Sequence, residues 1–178
     1  IFSMIKYCAL VLLGVFFFSC NDGSKVEREI ERIPINVEII RFDKKFAATT
    51  PQTLTKLKAE FPAFFPKQYG DSIWIEKLND TLQNQLEEEV AKAFPNEESL
   101  DGIFIPLFQH IKYYFPNFKT PLVVTTTSDV DYRNKVILAD SMLVVGLDNY
   151  LGANHRFYEG IDKYISKEMK SSQIGPDV

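Results

Sequence analysis

The stretch Leu122-Val123-Val124-Thr125-Thr126-Thr127 decides the fold, because here the sequence leaves helical spacing for a run of β-branched residues. Such residues are typical of β-strands. Two further short apolar runs follow, at residues 136–139 and 142–147. The polar segment 128–134 has the composition of a hairpin loop, and Asp140-Ser141 has that of a tight turn. The three runs therefore predict the strands of an antiparallel meander.

Upstream of these strands, apolar residues recur at the spacing of amphipathic helices. Thr50-Pro51 is typical of an N-cap followed by proline in the first helical position, and it predicts a helix that ends before Pro62. Asp80-Thr81 predicts the start of a second helix, whose apolar stripe runs to Phe94. Before both helices, residues 36–41 alternate imperfectly between apolar and polar side chains, which predicts a short strand.

A third helix is predicted over residues 100–115, and Pro106 lies inside it. Because proline lacks an N–H and its ring clashes with the carbonyl four residues earlier, we expect the helix either to begin near Ile105 or to bend at Pro106. A final helix is predicted over residues 155–169. The sequence therefore predicts an α+β fold, in which helices come first, a small antiparallel sheet second and a further helix last.

The amino-terminal stretch has the pattern of an export signal. Lys6 provides a positive flank, residues 7–18 are almost entirely apolar, and Ser19-Cys20 places a small residue before a cysteine. The apolar run is about a dozen residues long, shorter than the roughly 20 residues that span a bilayer as a helix. A cysteine at this boundary resembles the signal of bacterial lipoproteins, in which the thiol is acylated and acyl chains such as palmitate hold the protein to a membrane.

The resemblance to lipoprotein signals divides the chain into three parts. Residues 1–19 are the predicted signal peptide, residues 20–33 are a polar tether that begins at the lipid-bearing Cys20, and residues 34–178 form a single domain. The membrane is then a partner through acyl chains on Cys20, in which each buried methylene contributes about 0.8 kcal/mol. We expect the domain to lie outside the cytoplasm, in the cell envelope.

Charge and cysteine content restrict the function further. The chain contains 20 Lys and Arg against 24 Asp and Glu, a net charge of −4, without a basic stripe. Because phosphate binding requires clustered cations, we expect no nucleic-acid partner. Cys8 lies in the predicted signal peptide and Cys20 is the predicted lipid site, so we expect the mature domain to be held together by its core rather than by disulfides.

The two histidines are weak candidates for metal ligands. Neither His110 nor His155 belongs to an H-E-x-x-H motif, and the only carboxylate one helical turn away is Glu159, which follows His155. We therefore interpret both histidines as structural or surface residues, and we expect no metal and no cofactor.

Two groups of carboxylates have a spacing that argues against a metal site. Asp129 and Asp131 resemble the opening of a calcium-binding loop, but Arg133 and Asn134 occupy positions that need an oxygen ligand and a glycine. The three glutamates at residues 87–89 point 100° apart around the second helix and cannot converge on one ion. We interpret the glutamates as a solvated helix face.

The remaining polar and aromatic candidates favour structural roles. Ser128 and Ser141 lack the G-x-S-x-G context of a nucleophile, so no catalytic residue is predicted. Asp148-Asn149 directly follows a predicted strand, where many folds place sites, but the pair is also typical of turns and caps. The aromatic segment 64–74 either lines a ligand groove or belongs to the core, and we favour the core.

Five segments of the chain resemble the gliding-motility lipoprotein GldB family of gliding Bacteroidetes: FFPKQ (64–68), DSIWI (71–75), FQHIKYYFP (108–116), TSDVDY (127–132) and GLDNYLG (146–152). Together they extend over most of the chain that follows the predicted signal. The resemblance implies a membrane-attached lipoprotein that gliding requires, with no established catalytic reaction. It also implies that other envelope proteins of the gliding machinery are its partners.

The resemblance further implies a family length nearly twice that of this chain, so we expect the domain 34–178 to be incomplete at its C-terminus. The family is distantly similar to zinc metallopeptidase-like (zincin-like) domains. The alternative function is therefore a zinc-dependent peptidase-like enzyme whose metal-binding helix lies beyond Val178. We favour a non-catalytic component or assembly factor of the gliding machinery.

Overall fold

The structure, a computed structural model, describes residues 22–178, with side chains from residue 25 onward. The predicted signal peptide and the predicted lipid site Cys20 lie outside the described residues. Within the described part of the chain, no helix combines the length and the apolarity needed to cross a bilayer.

Helices and a small sheet make up the described residues, as predicted. The helices are α1 (Asp22–Ile30), α2 (Phe42–Ala47), α3 (Leu54–Glu60), α4 (Asp71–Asn79), α5 (Thr81–Ala93), α6 (Glu98–Tyr114), α7 (Lys163–Ser166) and α8 (Ile174–Asp177). The strands are β1 (Ile39–Arg41), β2 (Leu122–Thr126), β3 (Val136–Ala139) and β4 (Met142–Gly146). Short 3-10 turns lie at Pro62–Phe64, Leu147–Asn149, Arg156–Tyr158 and Ser171–Gln173.

The pairing of the strands differs from the predicted meander. The order in the sheet is β1-β2-β4-β3, in which β2 is parallel to both β1 and β4. Only β3 and β4 are antiparallel, and the predicted tight turn Asp140-Ser141 joins them, with φ of 53° at Asp140. The segment 128–134 is therefore not a hairpin loop between neighbouring strands.

Burial explains why the meander prediction was wrong. β2 and β4 are buried on both faces, whereas Ile137 and Leu138 of β3 are exposed. Strands that are apolar on both faces belong in the middle of a sheet, where helices cover both sides. β3 is thus the edge strand, and the two apolar strands pair directly with each other.

Helices cover the sheet on both faces. Because successive side chains of a strand point to opposite sides, Val123 and Val124 of β2 enter different cores. The Val123 side packs against α5, α6 and α8, in a cluster that includes Val90, Phe94, Leu100, Phe104, Phe108, Leu143, Val145 and Ile174. The Val124 side packs against α2, α3 and the aromatic segment, in a cluster that includes Phe42, Phe46, Leu54, Leu57 and Phe65. The predicted core role of the aromatic segment is confirmed for Phe65.

The predicted helices agree with the structure to different degrees. Asp80 caps α5 as predicted, because its carboxylate accepts a hydrogen bond from the Gln83 amide at 2.8 Å. The helix expected from Thr50-Pro51 begins at Leu54 instead, after a turn. α6 does not begin near Ile105, which was one of the two expected alternatives, because it runs from Glu98 to Tyr114 with Pro106 inside it. Burial of Phe104 and Phe108 outweighs a local proline cost of about 3 kcal/mol.

The two ends of the described region differ from the sequence-based predictions. The single helix predicted over 155–169 is wrong, because Gly160 has a φ of 88° and separates a 3-10 turn from α7.

The predicted tether 20–33 contains α1, whose Ile30 is 1% exposed. Gln109 of α6 donates hydrogen bonds to the carbonyls of Glu31 and Ile33 at 2.9 and 3.0 Å. Packing against α6 therefore begins before residue 34.

Candidate functional site

Polar side chains collect where the parallel strands end. β1 ends at Arg41, β2 ends at Thr126, and β4 is followed by Asp148 and Asn149. Because the three strands are parallel, their carboxyl ends lie at one edge of the sheet, which is where open α/β sheets place ligands. We call this edge, with the α4 and α5 residues that contact it, the polar edge.

A buried ion pair occupies the β1 side of the polar edge. The Arg41 guanidinium donates from Nε to Asp43 Oδ1 at 2.9 Å and from Nη2 to Asp43 Oδ2 at 2.6 Å. A third donor, Nη1, binds the carbonyl of Phe94 at 3.0 Å. Thr125 of β2 donates its hydroxyl to the same Asp43 carboxylate. With side chains only 5% and 4% exposed, the pair joins β1 and β2 to the end of α5.

A second buried cluster surrounds Asp148, which is fully buried. Its carboxylate accepts hydrogen bonds from the Ser128 amide at 2.9 Å, the Ser128 hydroxyl at 3.1 Å and the Val130 amide at 2.6 Å. Its main-chain carbonyl accepts from the Tyr158 hydroxyl at 2.7 Å. Burial raises the pKa of Asp148, although the bonds from Val130 and Ser128 act in the opposite direction. The carboxylate therefore holds the segment that follows β2 against the end of β4.

Close packing around Asn149 requires the glycine at position 146. Asn149 Nδ2 donates to Ser128 Oγ at 2.9 Å and to the Gly146 carbonyl at 3.2 Å. A Cβ on Gly146 would lie 2.8 Å from Ser128 Oγ and 2.9 Å from Asn149 Nδ2. The structural role predicted for Asp148-Asn149 agrees with these contacts, and Ser128 is part of the same cluster.

The α5 side of the polar edge is a chain of hydrogen bonds between side chains. Gln83, which is 4% exposed, donates from Nε2 to Glu87 Oε1 at 2.5 Å and to the Thr127 hydroxyl at 3.0 Å. Burial raises the pKa of Glu87 more than the hydrogen bond from Gln83 lowers it. Glu87 is thus half-buried rather than solvated, which corrects the predicted solvated face at this position.

The loop after β2 carries backbone strain. Asp129 and Val130 have φ values of 56° and 58°, in the left-handed region that a β-branched residue rarely adopts. Both oxygens of the Asp129 carboxylate accept from Lys77 Nζ of α4, at 2.8 and 2.7 Å. The Val130 amide is held by Asp148. The loop is therefore fixed in its strained form from two sides.

A shallow cavity of about 600 Å³ lies beside this loop, between α4 and α5. Its apolar lining includes Ile73 and Leu82, which are 46% and 66% exposed. Lys77 and Asp129 form part of its polar lining. The cavity is therefore an open groove with an ion pair along one side.

The two histidines do not meet. The carboxylate partner of His155 is Glu89 and not Glu159, the carboxylate one helical turn away, with 3.4 Å between Nε2 and the Glu89 carboxylate. Its Nδ1 accepts from the Phe157 amide at 3.3 Å, which places the proton of the neutral ring on Nε2. Hydrogen bonds from Lys92 and then from His155 hold the pKa of Glu89 below its usual value.

His110 lies on α6, where Nδ1 is 2.7 Å from the Pro106 carbonyl and Nε2 is 3.3 Å from Glu27 of α1. This histidine therefore links two helices. The contact agrees with the predicted structural or surface role, since the ring is 40% exposed.

The segment that resembles a calcium-binding loop has other partners. Asp131 accepts from Asn134 Nδ2 at 2.8 Å and from the Arg133 amide at 3.2 Å, and the bond from Asn134 contributes most to lowering its pKa. Asp129 points to Lys77 instead. Among residues 22–178, no group of three or more His, Cys, Asp or Glu side chains is arranged to hold a metal ion.

A comparison with known families identifies the chain. A family model described as gliding motility protein GldB, a lipoprotein family, matches residues 23–178. The chain belongs to the GldB family. No curated protein and no solved structure matches it. The matched residues of this GldB protein include the whole sheet, the polar edge and all of α1 except Asp22. The resemblance stated on five short segments therefore extends over nearly all of the described chain.

Sequence reasoning missed several residues of the GldB polar edge. Arg41, Asp43, Gln83 and Lys77 were not singled out, because each also has a partner that is at least 44 residues away in the sequence. One signal was available for the pair at β1: an arginine at the end of a short apolar run is followed two residues later by an aspartate.

Proposed function

We propose that this GldB-family protein is a lipid-anchored, non-catalytic component of the cell envelope that supports gliding motility by binding other envelope proteins of the gliding machinery. The observation that carries the proposal is the family match over residues 23–178. Membership places the protein in a gliding motility family, and the anchor and the mode of action are our inference from the residues.

The lipid anchor is supported by the sequence before α1. The apolar run ends at Phe18, Cys20 follows two residues later, and α1 begins at Asp22. Since α1 packs on α6 through the buried Ile30, the proposed acyl chains lie only a few residues from the folded domain. Two or more acyl chains hold a protein stably at a membrane, whereas one chain binds marginally. Anchoring thus confines the domain to the membrane surface, where its effective concentration toward membrane partners is high.

The non-catalytic role is supported by how the polar edge uses its buried groups. Asp43 is bonded to Arg41 and Thr125, and Asp148 is bonded to Ser128 and Val130. These carboxylates connect strands and loops, and such hydrogen bonds stabilise the fold. No observation among the described residues favours the zinc-peptidase alternative.

A complementation experiment tests both parts. The gene is deleted in the gliding bacterium that encodes it, and full-length wild type, C20S and the double variant E89Q/H155Q are expressed in its place. We expect C20S to leave the membrane fraction and to fail to restore gliding. We expect E89Q/H155Q to restore gliding, because this partly buried pair of a carboxylate and an imidazole has no catalytic task. Membrane-bound, gliding-competent C20S would contradict the anchor, and loss of gliding in stably expressed E89Q/H155Q would contradict the non-catalytic role.

A further inference from the structure

The outer edge of β3, the side of this strand that faces away from β4, has no neighbouring strand in the sheet that the described residues form. Ile137 and Leu138, in the middle of β3, are 48% and 69% exposed. Natural proteins usually protect such an edge with a charged residue, a proline or a bulge. β3 contains neither a charge nor a proline, and its register with β4 is continuous. The outer edge of β3 is therefore open to pairing with a further strand.

Two residues of β3 direct their main-chain groups to this outer edge. The Gly146 amide donates to the Lys135 carbonyl at 2.9 Å, so the main chain of Lys135 faces β4. Because the main-chain groups of successive residues in an antiparallel strand point in alternate directions, those of Ile137 also face β4. The N–H and C=O groups of Val136 and Leu138 therefore face outward, where another strand can bind them.

The sequence of β3 is complementary to itself in the antiparallel direction. When two copies pair with Ile137 opposite Ile137, Val136 of each copy lies opposite Leu138 of the other. All the outward main-chain groups of both strands then form hydrogen bonds, and the exposed apolar side chains pack against each other. Pairing with Leu138 opposite Leu138 would instead place Val136 opposite Asp140, which belongs to the turn after β3 and has a φ of 53°.

Charges at the two ends of β3 favour the same direction. Arg133 and Lys135 precede the strand, and Asp140 follows it. Antiparallel pairing brings the basic end of each copy beside the acidic end of the other, whereas parallel pairing would bring like charges together. Lys135 pairs with Asp177 within its own copy, so the exposed Arg133 is the cation that Asp140 of the other copy would meet.

We propose that a second copy of this chain occupies the outer edge of β3, with a two-fold axis at Ile137 that joins two four-stranded sheets into one continuous sheet. The contact involves four residues of each strand, so the dimer is weak. Confinement of both copies to one membrane surface would raise the fraction that pairs. The pairing goes beyond the motility role proposed above and does not require the lipid anchor.

Disulfide trapping in intact cells tests this pairing, with full-length variants expressed from the native gene. In I137C the two introduced thiols would face each other, with about 4.5–5.5 Å between Cβ atoms, near the geometry of a disulfide. In the matched control A139C, which is also exposed and also in β3, the two thiols would lie roughly 13 Å apart along the strands. We expect mild oxidation to give roughly tenfold more dimer in I137C than in A139C. Wild type reports any disulfide that Cys8 or Cys20 forms.

A second pair of variants tests the apolar contact. L138K places a charge in the centre of the outer edge, whereas L82K replaces a leucine of α5 that is similarly exposed, at 66%. We expect I137C/L138K to lose the cross-linked dimer and I137C/L82K to keep it. Because both replaced side chains are exposed, both variants should melt as wild type does.

Three results would overturn the proposal. The first is an amount of I137C dimer no greater than that of A139C. The second is an I137C dimer that L138K leaves undiminished. The third is a disulfide from I137C to a different protein, which would mean that the outer edge of β3 has another occupant.

Discussion

Replacing Asp148 with alanine should destabilise the fold more than any exposed substitution. The carboxylate is fully buried and accepts from the Ser128 amide, the Ser128 hydroxyl and the Val130 amide at 2.6–3.1 Å. In D148A these three donors lose their acceptor at a position where the native side chain is fully buried. The side chain also holds the strained Val130 in position. The loop after β2 would therefore separate from the end of β4.

The magnitude follows from these contacts. A hydrogen bond to a charged group contributes about 1.5–3 kcal/mol, so three such bonds are worth about 5–9 kcal/mol before the cost of burying the charge. Because burial raises the pKa of Asp148, that cost is substantial here. We therefore expect a net loss of about 3–5 kcal/mol, the range for breaking one side of a buried charged network. For a domain of this size the melting temperature should fall by roughly 6–20 °C.

Urea unfolding at pH 7, followed by Trp74 fluorescence and by circular dichroism, measures the loss. Asp162 provides the matched control, since it is exposed and its side chain caps nothing. D162A should stay within about 0.5 kcal/mol of wild type. If D148A unfolded at the same urea concentration as wild type, with the same dependence on urea, the Asp148 carboxylate would not hold this loop in place.

Four further predictions concern the same fold. D43A should cost about 3–5 kcal/mol in urea unfolding because it leaves the Arg41 guanidinium buried without its counter-charge, and a cost below 1 kcal/mol would mean that water reaches the pair. I30A should cost about 2–4 kcal/mol, which denaturant titration would show, and no change would mean that α1 is not docked on α6. The free energy of unfolding of V130G should be within about 1 kcal/mol of the wild-type value or higher, because glycine removes the strain at a φ of 58°. A melting temperature that falls as it does when glycine replaces valine in an ordinary strand would mean that the backbone at residue 130 is not strained. The difference in free energy of unfolding between wild type and D148N should favour wild type most below pH 3.8, the ordinary aspartate pKa, and should decrease as pH rises through the raised pKa of Asp148. A difference that increased with pH would contradict the raised pKa.

The sequence predicted the elements better than their arrangement. β-branched runs marked β2 and β4, and Asp80 marked the start of α5, because these signals are local. The order of the strands in the sheet has no local signal of this kind in the sequence. It depends on β3 being exposed at the edge, which becomes evident only once α5 and α6 cover one face and α2 the other.

The candidate site was harder to predict than the fold. Asp148 was recognised as a structural residue after a strand, because Asp-Asn is typical turn chemistry. Its partners Ser128 and Val130, about 20 residues away, are brought to it by the parallel pairing of β2 with β4. Arg41 similarly donates to the Phe94 carbonyl only when β1 has packed beside the end of α5. Long-range partners of this kind leave no periodic signal in one sequence.

The mass of the amino-terminal peptide of the protein purified from its natural membrane tests the central claim most directly. The claim is that acyl chains on Cys20 hold a GldB-family domain at the membrane. We predict that the first residue is Cys20 and that its mass includes the attached acyl chains. An unmodified Cys20, or a leader that still precedes it, would contradict the account.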